Sequence, residues 1–224
     1  ALRDEATQRG WSIESRALDV REAPLVQKAA AEILEHHGHV DVLVNNAAGN
    51  FVCPSERLSA NAWRSVLGIV LDGTFYCSRD FGRTMIAAKR GQILNVVATY
   101  AWSGMPGVLH SACAKAGVLT MTKTLAAEWA PHGIRVNAIA PGPFESEGSA
   151  ANLWPDAAAR TAMERKIPLG RFAPADEIAR HSLYLLSSLS SWVTGACLTV
   201  DGGMSLPPPM WGVGQRVERK SAGP

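Results

Sequence analysis

Three side chains that can take part in acid–base chemistry lie within the stretch VATYAWSGMPGVLHSACAK, residues 97–115. Lys115 ends the stretch, Ser111 precedes it by four residues and Tyr100 precedes it by fifteen. A phenol can donate a hydrogen bond, and a nearby ammonium lowers the pKa of a phenol by favouring the phenolate. We therefore expect a tyrosine donor beside a lysine cation, with a serine hydroxyl that bonds substrate, water or its own helix backbone.

Apolar runs of strand length alternate with longer helical patterns along the rest of the chain. The predicted strands are 11–20, 40–49, 91–100, 134–143 and 196–203. The predicted helices are the tail of one at 1–10, then 23–38, 58–89, 110–133, 156–166 and 174–189. Strand and helix alternate without a hairpin signal, which indicates an α/β fold with a parallel sheet covered by helices on both faces.

Polar residues and turn formers follow the predicted strands. They are Asp19, the run from Asn45 to Asn50, Tyr100, and the run from Pro141 to Pro143. In open parallel sheets, ligands bind in the crevice beyond the carboxyl ends of the strands. We therefore expect these residues to converge on one crevice.

Length and composition limit the class of protein. The 224 residues suffice for one α/β domain with a sizeable core, which we place at 1–203, followed by a Pro/Gly-rich irregular tail at 204–224. Lys and Arg number 22 against 20 Asp and Glu, without a basic run, so no nucleic-acid partner is expected. No apolar run approaches the length of a membrane span, and no secretory signal is visible.

The cysteines and histidines do not form a recognisable metal motif. Cysteines at 53, 77, 113 and 197 are scattered, which predicts buried free thiols in a reducing compartment, with the cytoplasm as the default location. Histidines at 36, 37 and 39 crowd one predicted helix end, where cations meet the negative end of the helix dipole. A ligand cluster would need carboxylates or cysteines nearby, so no metal site is predicted.

Four motifs in a fixed order resemble the short-chain dehydrogenase/reductase family over nearly the whole chain. They are NNAAG (45–49), the helix carrying Lys115, RVNAIAPGP (135–143) and TVDGG (199–203). Within the family, NNAAGNF (45–51), ERLSANAW (56–63) and the spacing of Tyr100 from Lys115 resemble 2,4-dienoyl-CoA reductases. The resemblance implies a Rossmann-type doubly wound sheet and an NADPH-dependent reductase of acyl-CoA substrates in fatty acid metabolism, with NADH as a possible cofactor and a homotetramer as the assembly.

The resemblance also implies roles for the catalytic residues. Most of the family has tyrosine at the position of Ser111, whereas dienoyl-CoA reductases have serine there and use a tyrosine from the end of the preceding strand. By position, Tyr100 and Asn50 are the two donors to the substrate's thioester oxygen. Lys115 corresponds to the lysine that reaches the cofactor ribose, and Ser111 to a residue that bonds substrate or water.

Further positions correspond to cofactor contacts in the family. Asp19 resembles the residue that contacts the adenine ring, while Asn46, Ala47 and Gly49 resemble the segment that passes close to the ribose. Pro141, Gly142 and Pro143 resemble the segment that lines the nicotinamide. The turn at Asp201, Gly202 and Gly203 is expected to be structural.

Two departures from the family pattern leave other functions open. Asp72 stands where the family has an asparagine of a proton relay, and a carboxylate cannot donate as an amide does. The family's first strand, its glycine-rich phosphate turn and the following helix are not found in the sequence. A generic alcohol or ketone dehydrogenase, whose signature would be tyrosine at position 111, and a non-catalytic protein of this fold are the alternatives.

Overall fold

The computed structural model of the chain describes residues 2–145 and 156–207. Four strands run over Val42–Asn45 (β1), Gly91–Val96 (β2), Ile134–Pro141 (β3) and Cys197–Val200 (β4). The helices are Leu2–Gln8 (α1), Ala23–His37 (α2), Ala60–Leu67 (α3), Gly73–Ala88 (α4), Tyr100–Ser103 (α5), Leu109–Trp129 (α6), Ala157–Lys166 (α7) and Ala175–Leu186 (α8). The tail predicted at 204–224 lies mostly outside the described residues.

The four strands form one parallel sheet in the order β1-β2-β3-β4. The register pairs Asn45 with Asn95, and Asn95 with Ala138 of the next strand. Each parallel connection passes through at least one helix, as the alternation of strand and helix patterns predicted. The carboxyl ends of β1, β2 and β3 consequently lie at the same edge of the sheet.

Helices cover both faces of this sheet because the strands are apolar on both sides. On one face Ile93 and Val136 pack with Met85 of α4 and Ala126 of α6. On the other face Leu94 and Ile139, which lie an odd number of residues from Ile93 and Val136 along the same strands, pack with residues of α8. Near-continuous apolar strands are typical of parallel sheets buried on both faces. The predicted doubly wound α/β fold is therefore confirmed.

The helix predicted at 58–89 begins as expected but is not continuous. The Ser59 hydroxyl accepts a hydrogen bond from the Ala62 amide at 3.2 Å, which caps α3. A π-helical segment, Gly68–Asp72, then separates α3 from α4. Such wide turns insert one extra residue into a helix and occur often near functional sites.

Glycine at position 73 permits close contact between α4 and the segment that precedes α2. A Cβ atom at Gly73 would lie 2.7 Å from Cγ2 of Val20, nearer than such atoms approach. The backbone at Val20 can therefore pack directly on the first turn of α4. This contact positions the chain just beyond Asp19.

Residues 11–20 do not form the strand that their alternating pattern predicted. They are extended, but no strand pairing is assigned to them in the described part of the chain. A strand requires a neighbour that shares its ladder of hydrogen bonds, and alternation of polar and apolar residues does not provide one. The predicted strand at 11–20 is therefore wrong for this structure.

The other predicted strands are shorter than expected at their carboxyl ends. The strand predicted at 40–49 ends at Asn45, the one at 91–100 ends at Val96, and the one at 196–203 ends at Val200. Asparagine, glycine and alanine residues beyond these points lie in loops and turns. These loops form the crevice edge of the sheet.

The cysteines are free, as predicted, but they are not uniformly buried. Cys113 is exposed on α6, and the remaining three are half-buried. The prediction of buried thiols is wrong for Cys113 because the helix turns that position outward between the buried residues Ala112 and Ala114. Within the described ranges, no helix has the length and apolar character needed to cross a membrane.

Candidate active site

Tyr100 lies just beyond β2 and not within it. The strand ends at Val96, and Tyr100 begins the short helix α5 after three intervening residues. Helix α5 packs against α6, which carries Ser111 and Lys115. The side chains that the sequence analysis grouped by spacing therefore come from two contacting helices.

The structure brings Asn50, Tyr100 and Ser111 together. The Tyr100 phenol oxygen lies 3.0 Å from Ser111 Oγ, and Asn50 Nδ2 donates to the same phenol oxygen at 3.4 Å. Asn50 Oδ1 accepts a hydrogen bond from the Phe51 amide at 2.9 Å, which turns the amide nitrogen of Asn50 toward Tyr100. The predicted donor pair is thus adjacent, and Ser111 bonds Tyr100 rather than its own helix backbone.

The spacing of the two donors suits a shared acceptor. Hydrogen-bond donors lie about 2.7–3.1 Å from an oxyanion that they stabilise. Because the donor atoms of Asn50 and Tyr100 are 3.4 Å apart, one oxygen can lie within that range of both. The arrangement can therefore stabilise negative charge that develops on a single oxygen.

The Tyr100 phenol stays protonated in this environment. Burial raises its pKa above the ordinary value, and the hydrogen bond with Ser111 lowers it by less. The expectation that Lys115 lowers the Tyr100 pKa is wrong in this structure. The reason is that the ammonium of Lys115 is bonded elsewhere, so the effect of burial on the phenol prevails.

The Lys115 ammonium lies beneath the site and donates to the backbone carbonyl of Val96, at the end of β2. Only 6% of the Lys115 surface is exposed, and this burial lowers the pKa of its ammonium to about 8. The lysine is therefore charged at neutral pH but loses its proton more easily than a surface lysine. It provides a positive charge at the carboxyl edge of the sheet.

Two of the predicted cofactor segments lie at that same edge. Asn46 and Ala47 are exposed just beyond β1, and Gly49 lies near Ile69 of the π-helical segment. Pro141 ends β3, Gly142 and Pro143 follow it, and all three are partly exposed. A Cβ at Gly142 would lie 2.6 Å from Cα of Asp201, so glycine allows the loops after β3 and β4 to meet.

Asp19 and Asp72 differ from the central residues of the site. Asp19 accepts hydrogen bonds from Arg21, which lower the pKa of its carboxyl to about 2, so it is ionised and already paired. Asp72 is exposed at the end of the π-helical segment. The predicted turn at Asp201 is confirmed, since its carboxylate accepts from the amides of Gly203 and Ser205.

Two residues that the sequence patterns did not single out, His110 and Phe51, contact each other and so join the segments that carry Ser111 and Asn50. The His110 ring is fully buried and lies 4.3 Å, centroid to centroid, from the ring of Phe51. These two residues are the immediate neighbours of Ser111 and Asn50. Neither ring nitrogen of His110 has a hydrogen-bond partner among the residues that the structure describes, and burial lowers the pKa of this imidazole. Nothing in the sequence distinguishes this histidine from a surface one.

The described residues fit the nicotinamide and ribose half of a nicotinamide cofactor. A buried lysine cation and the exposed backbone after β1 and β3 can receive the polar hydroxyls of a ribose and one face of a nicotinamide ring. A pyrophosphate needs backbone amides at a glycine-rich helix start. No such turn occurs in the described ranges 2–145 and 156–207.

Comparison with known proteins decides the family. A family profile described as "Enoyl-(Acyl carrier protein) reductase" matches residues 2–205. The chain belongs to the short-chain dehydrogenase/reductase family. The probable 2,4-dienoyl-CoA reductase, (2E)-enoyl-CoA-producing, of Bacillus subtilis is 48% identical over 193 residues, which cover 85% of this chain and 76% of that protein. The peroxisomal 2,4-dienoyl-CoA reductase, (3E)-enoyl-CoA-producing, of Pongo abelii is 41% identical over 187 residues, covering 84% and 64%.

A solved structure supports the same assignment. The gluconate 5-dehydrogenase of Burkholderia cenocepacia J2315, in complex with NADP and tartrate, superimposes with a TM-score of 0.87 at 32% identity. The alignment covers 92% of this chain and 81% of that one. The predicted family and the Rossmann-type fold are confirmed, and this short-chain dehydrogenase/reductase is an oxidoreductase of a family that uses nicotinamide cofactors.

Proposed function

We propose that this protein reduces 2,4-dienoyl thioesters of coenzyme A with NADPH. The observation that carries the proposal is the position of Asn50 Nδ2, 3.4 Å from the phenol oxygen of a half-buried, protonated Tyr100. The relatives named 2,4-dienoyl-CoA reductases in the preceding section support the substrate class. Serine at position 111 argues against the generic dehydrogenase arrangement, which needs tyrosine there.

Asn50 and Tyr100 act on the thioester oxygen of the substrate. Addition of hydride to the far end of a conjugated dienoyl thioester moves negative charge through the double bonds to this oxygen. Two neutral donors at one oxygen stabilise the charge as it develops, and removal of one such donor typically costs about 3 kcal/mol. The hydrogen bond from the Phe51 amide to Asn50 holds the amide in this orientation beforehand.

Ser111 and Lys115 support the donors from α6. The Ser111 hydroxyl can accept from the phenol before substrate arrives, which keeps Tyr100 directed toward the crevice. The Lys115 cation makes the potential at the sheet edge more positive, which favours a developing anion. The cofactor, when bound, supplies the hydride, and Lys115 with the segments 46–49 and 141–143 would hold its nicotinamide and ribose.

The product depends on where the substrate takes up a proton. Protonation next to the carbonyl gives a 3-enoyl thioester, and protonation two carbons further gives the 2-enoyl isomer. Because Asn50 and Tyr100 both act at the carbonyl end, we propose the trans-3-enoyl product. The two relatives named above differ in this respect, since one is described as producing the (2E) and the other the (3E) isomer.

We further propose a homotetramer in the cytoplasm with one catalytic domain at 1–203. Helix α4 carries apolar residues on two sides, because Phe81 lies in the core while Phe75 is 45% exposed. An apolar side chain exposed on a long helix favours burial against another subunit. The loop from Phe144 to Pro155 is polar and contains Gly and Ser, and we propose that it closes over the acyl chain and excludes water. Its residues after 145 lie outside the described part of the chain.

The test compares substrates, and it uses the protein expressed from the complete reading frame that contains this chain. Purified protein is incubated with NADPH or NADH and 2,4-hexadienoyl-CoA, and in parallel with simple ketones and secondary alcohols. We expect turnover of the dienoyl thioester with NADPH, and a 3-enoyl product by mass spectrometry and NMR. Turnover of ketones alone would favour the generic dehydrogenase. No turnover and no cofactor binding would favour a non-catalytic role.

A further inference from the structure

Three side chains that can bind a metal lie close together on the surface. They belong to a part of the chain that precedes the proposed catalytic residues. His36 and His37 end helix α2, and Glu14 lies in the extended segment 11–20. His36 Nε2 is 3.5 Å from Glu14 Oε1, and His37 Nε2 is 3.7 Å from Glu14 Oε2. The sequence supplied the two imidazoles, and the fold supplies the carboxylate whose absence had argued against a metal site.

The distances between these atoms are close to those between the ligands of a tetrahedral site. One atom from each residue lies within 4.8 Å of the other two. In a tetrahedral zinc site with metal–ligand distances of about 2.1 Å, neighbouring ligand atoms are about 3.4 Å apart. The two measured carboxylate–imidazole distances are close to that value, so only small side-chain rotations would complete the set. All three side chains are exposed, which leaves the site open to an entering ion.

We propose that Glu14, His36 and His37 form a divalent metal site suited to zinc. Two imidazoles and one carboxylate are borderline ligands that favour Zn²⁺ over Mg²⁺ or Ca²⁺, which prefer sets of oxygen ligands. Three protein ligands leave a fourth position for water. This site is separate from the proposed reductase chemistry and does not depend on it.

The ion would add a second link between residues 11–20 and α2, beside the ion pair of Arg16 with Glu32. Residues 11–20 pair with no strand in the part of the chain that the structure describes, and most of their side chains are exposed. A metal that joins Glu14 to the end of α2 restrains this segment five residues before Asp19. We therefore expect metal binding to stabilise the folded protein, because a ligand that binds only the native state raises its stability.

The experiment measures zinc binding by isothermal titration calorimetry and the effect of zinc on stability by thermal unfolding. The protein expressed from the complete reading frame is studied first as purified and then after treatment with a chelator. Wild type should bind one Zn²⁺ per chain, and its Tm should rise by about 5 °C or more at a free zinc concentration a hundred times the Kd. Glu14→Gln and His37→Ala should each weaken binding at least tenfold and reduce the rise at the same zinc concentration to about half or less. His132→Ala removes an exposed histidine elsewhere and serves as the matched control.

The altered side chains are exposed, so the Tm of each variant without zinc should equal that of wild type. Binding that survives in Glu14→Gln would contradict the proposal, because the histidines or the free cysteines would then suffice. Equal loss in His132→Ala, or no binding by wild type at 100-fold excess of Zn²⁺ over protein, would also overturn it.

Discussion

The amide nitrogen of Asn50 and the phenol oxygen of Tyr100 are 3.4 Å apart, although fifty residues separate them in the chain. Asn50 follows β1 and Tyr100 follows β2, and these strands are neighbours whose ends coincide in the sheet. The parallel register thus converts two distant positions into a pair of donors. The proposed chemistry depends on this relationship more than on any other.

Replacement of Asn50 by alanine should remove one donor from the developing oxyanion. We expect kcat for a dienoyl thioester to fall about 10²–10³-fold with a much smaller change in KM, because the interaction strengthens in the transition state. Asn61→Ala, on the exposed surface of α3, is the matched control and should be neutral. Steady-state kinetics check both. A change in KM alone would show that Asn50 only binds substrate.

The charge of Lys115 should give the activity an alkaline limit. Burial lowers the pKa of this lysine to about 8, so the ammonium is lost as the pH rises through that value. We expect kcat/KM to fall above about pH 8 and to be constant from about pH 6.5 to 7.5. The same profile for Lys115→Met should be low and flat across this range. A wild-type profile that stays constant to pH 10 would contradict the assigned role.

Replacement of His110 by phenylalanine should stabilise the fold. Both ring nitrogens are buried without partners in the described structure, and each unsatisfied polar group costs about 1–3 kcal/mol. Phenylalanine has a similar shape and keeps the contact with Phe51. We expect the Tm to rise by about 2–4 °C or more, measured by thermal unfolding at pH 7.5. A fall in Tm would show that an unseen group satisfies the imidazole.

The gain from His110→Phe should also depend on pH. Burial lowers the pKa of His110 below 6.5, so below that pH the unfolded chain binds a proton that the folded chain does not. Wild type therefore loses stability as the pH falls through this window, and the variant lacks this contribution. The difference in Tm between the two proteins should widen from pH 7.5 to pH 5.5.

Two glycines of the broken helix should respond oppositely to alanine. A Cβ at Gly73 would lie 2.7 Å from Val20 Cγ2 and 3.3 Å from its carbonyl oxygen, so Gly73→Ala should destabilise by about 1–3 kcal/mol. At Gly68 the nearest atom is a flexible Arg21 methylene at 3.4 Å, and alanine has the better helix propensity. Gly68→Ala should be neutral or stabilising. Chemical denaturation measures both, and equal effects would contradict the contact.

The sequence predicted the fold from local patterns, whereas the roles of Asn50 and Tyr100 as donors were implied by the family resemblance. Apolar runs gave the parallel sheet, and the ends of β1, β2 and β3 indicated where Asn50, Tyr100 and the run from Pro141 would meet. Local patterns could not show that residues 11–20 form no strand. Strand pairing depends on a neighbouring strand and not on the alternation of polar and apolar residues.

Other features depend on packing that local patterns do not encode. The Tyr100 pKa was predicted in the wrong direction because the Lys115 ammonium bonds the Val96 carbonyl. The burial of His110 against Phe51 and the approach of Glu14 to two histidines join segments that are distant in the sequence.

The most direct test of the account compares Tyr100→Phe with Ser111→Ala in the complete reading frame. Single-turnover reduction of 2,4-hexadienoyl-CoA by NADPH is measured for both variants and for wild type. In the proposed mechanism Tyr100 donates to the substrate and Ser111 only supports Tyr100, so Tyr100→Phe should lower the rate about 10²–10³-fold and Ser111→Ala by about tenfold or less. If Ser111→Ala proves the more damaging change, Tyr100 is not the principal donor and the proposed site is wrong.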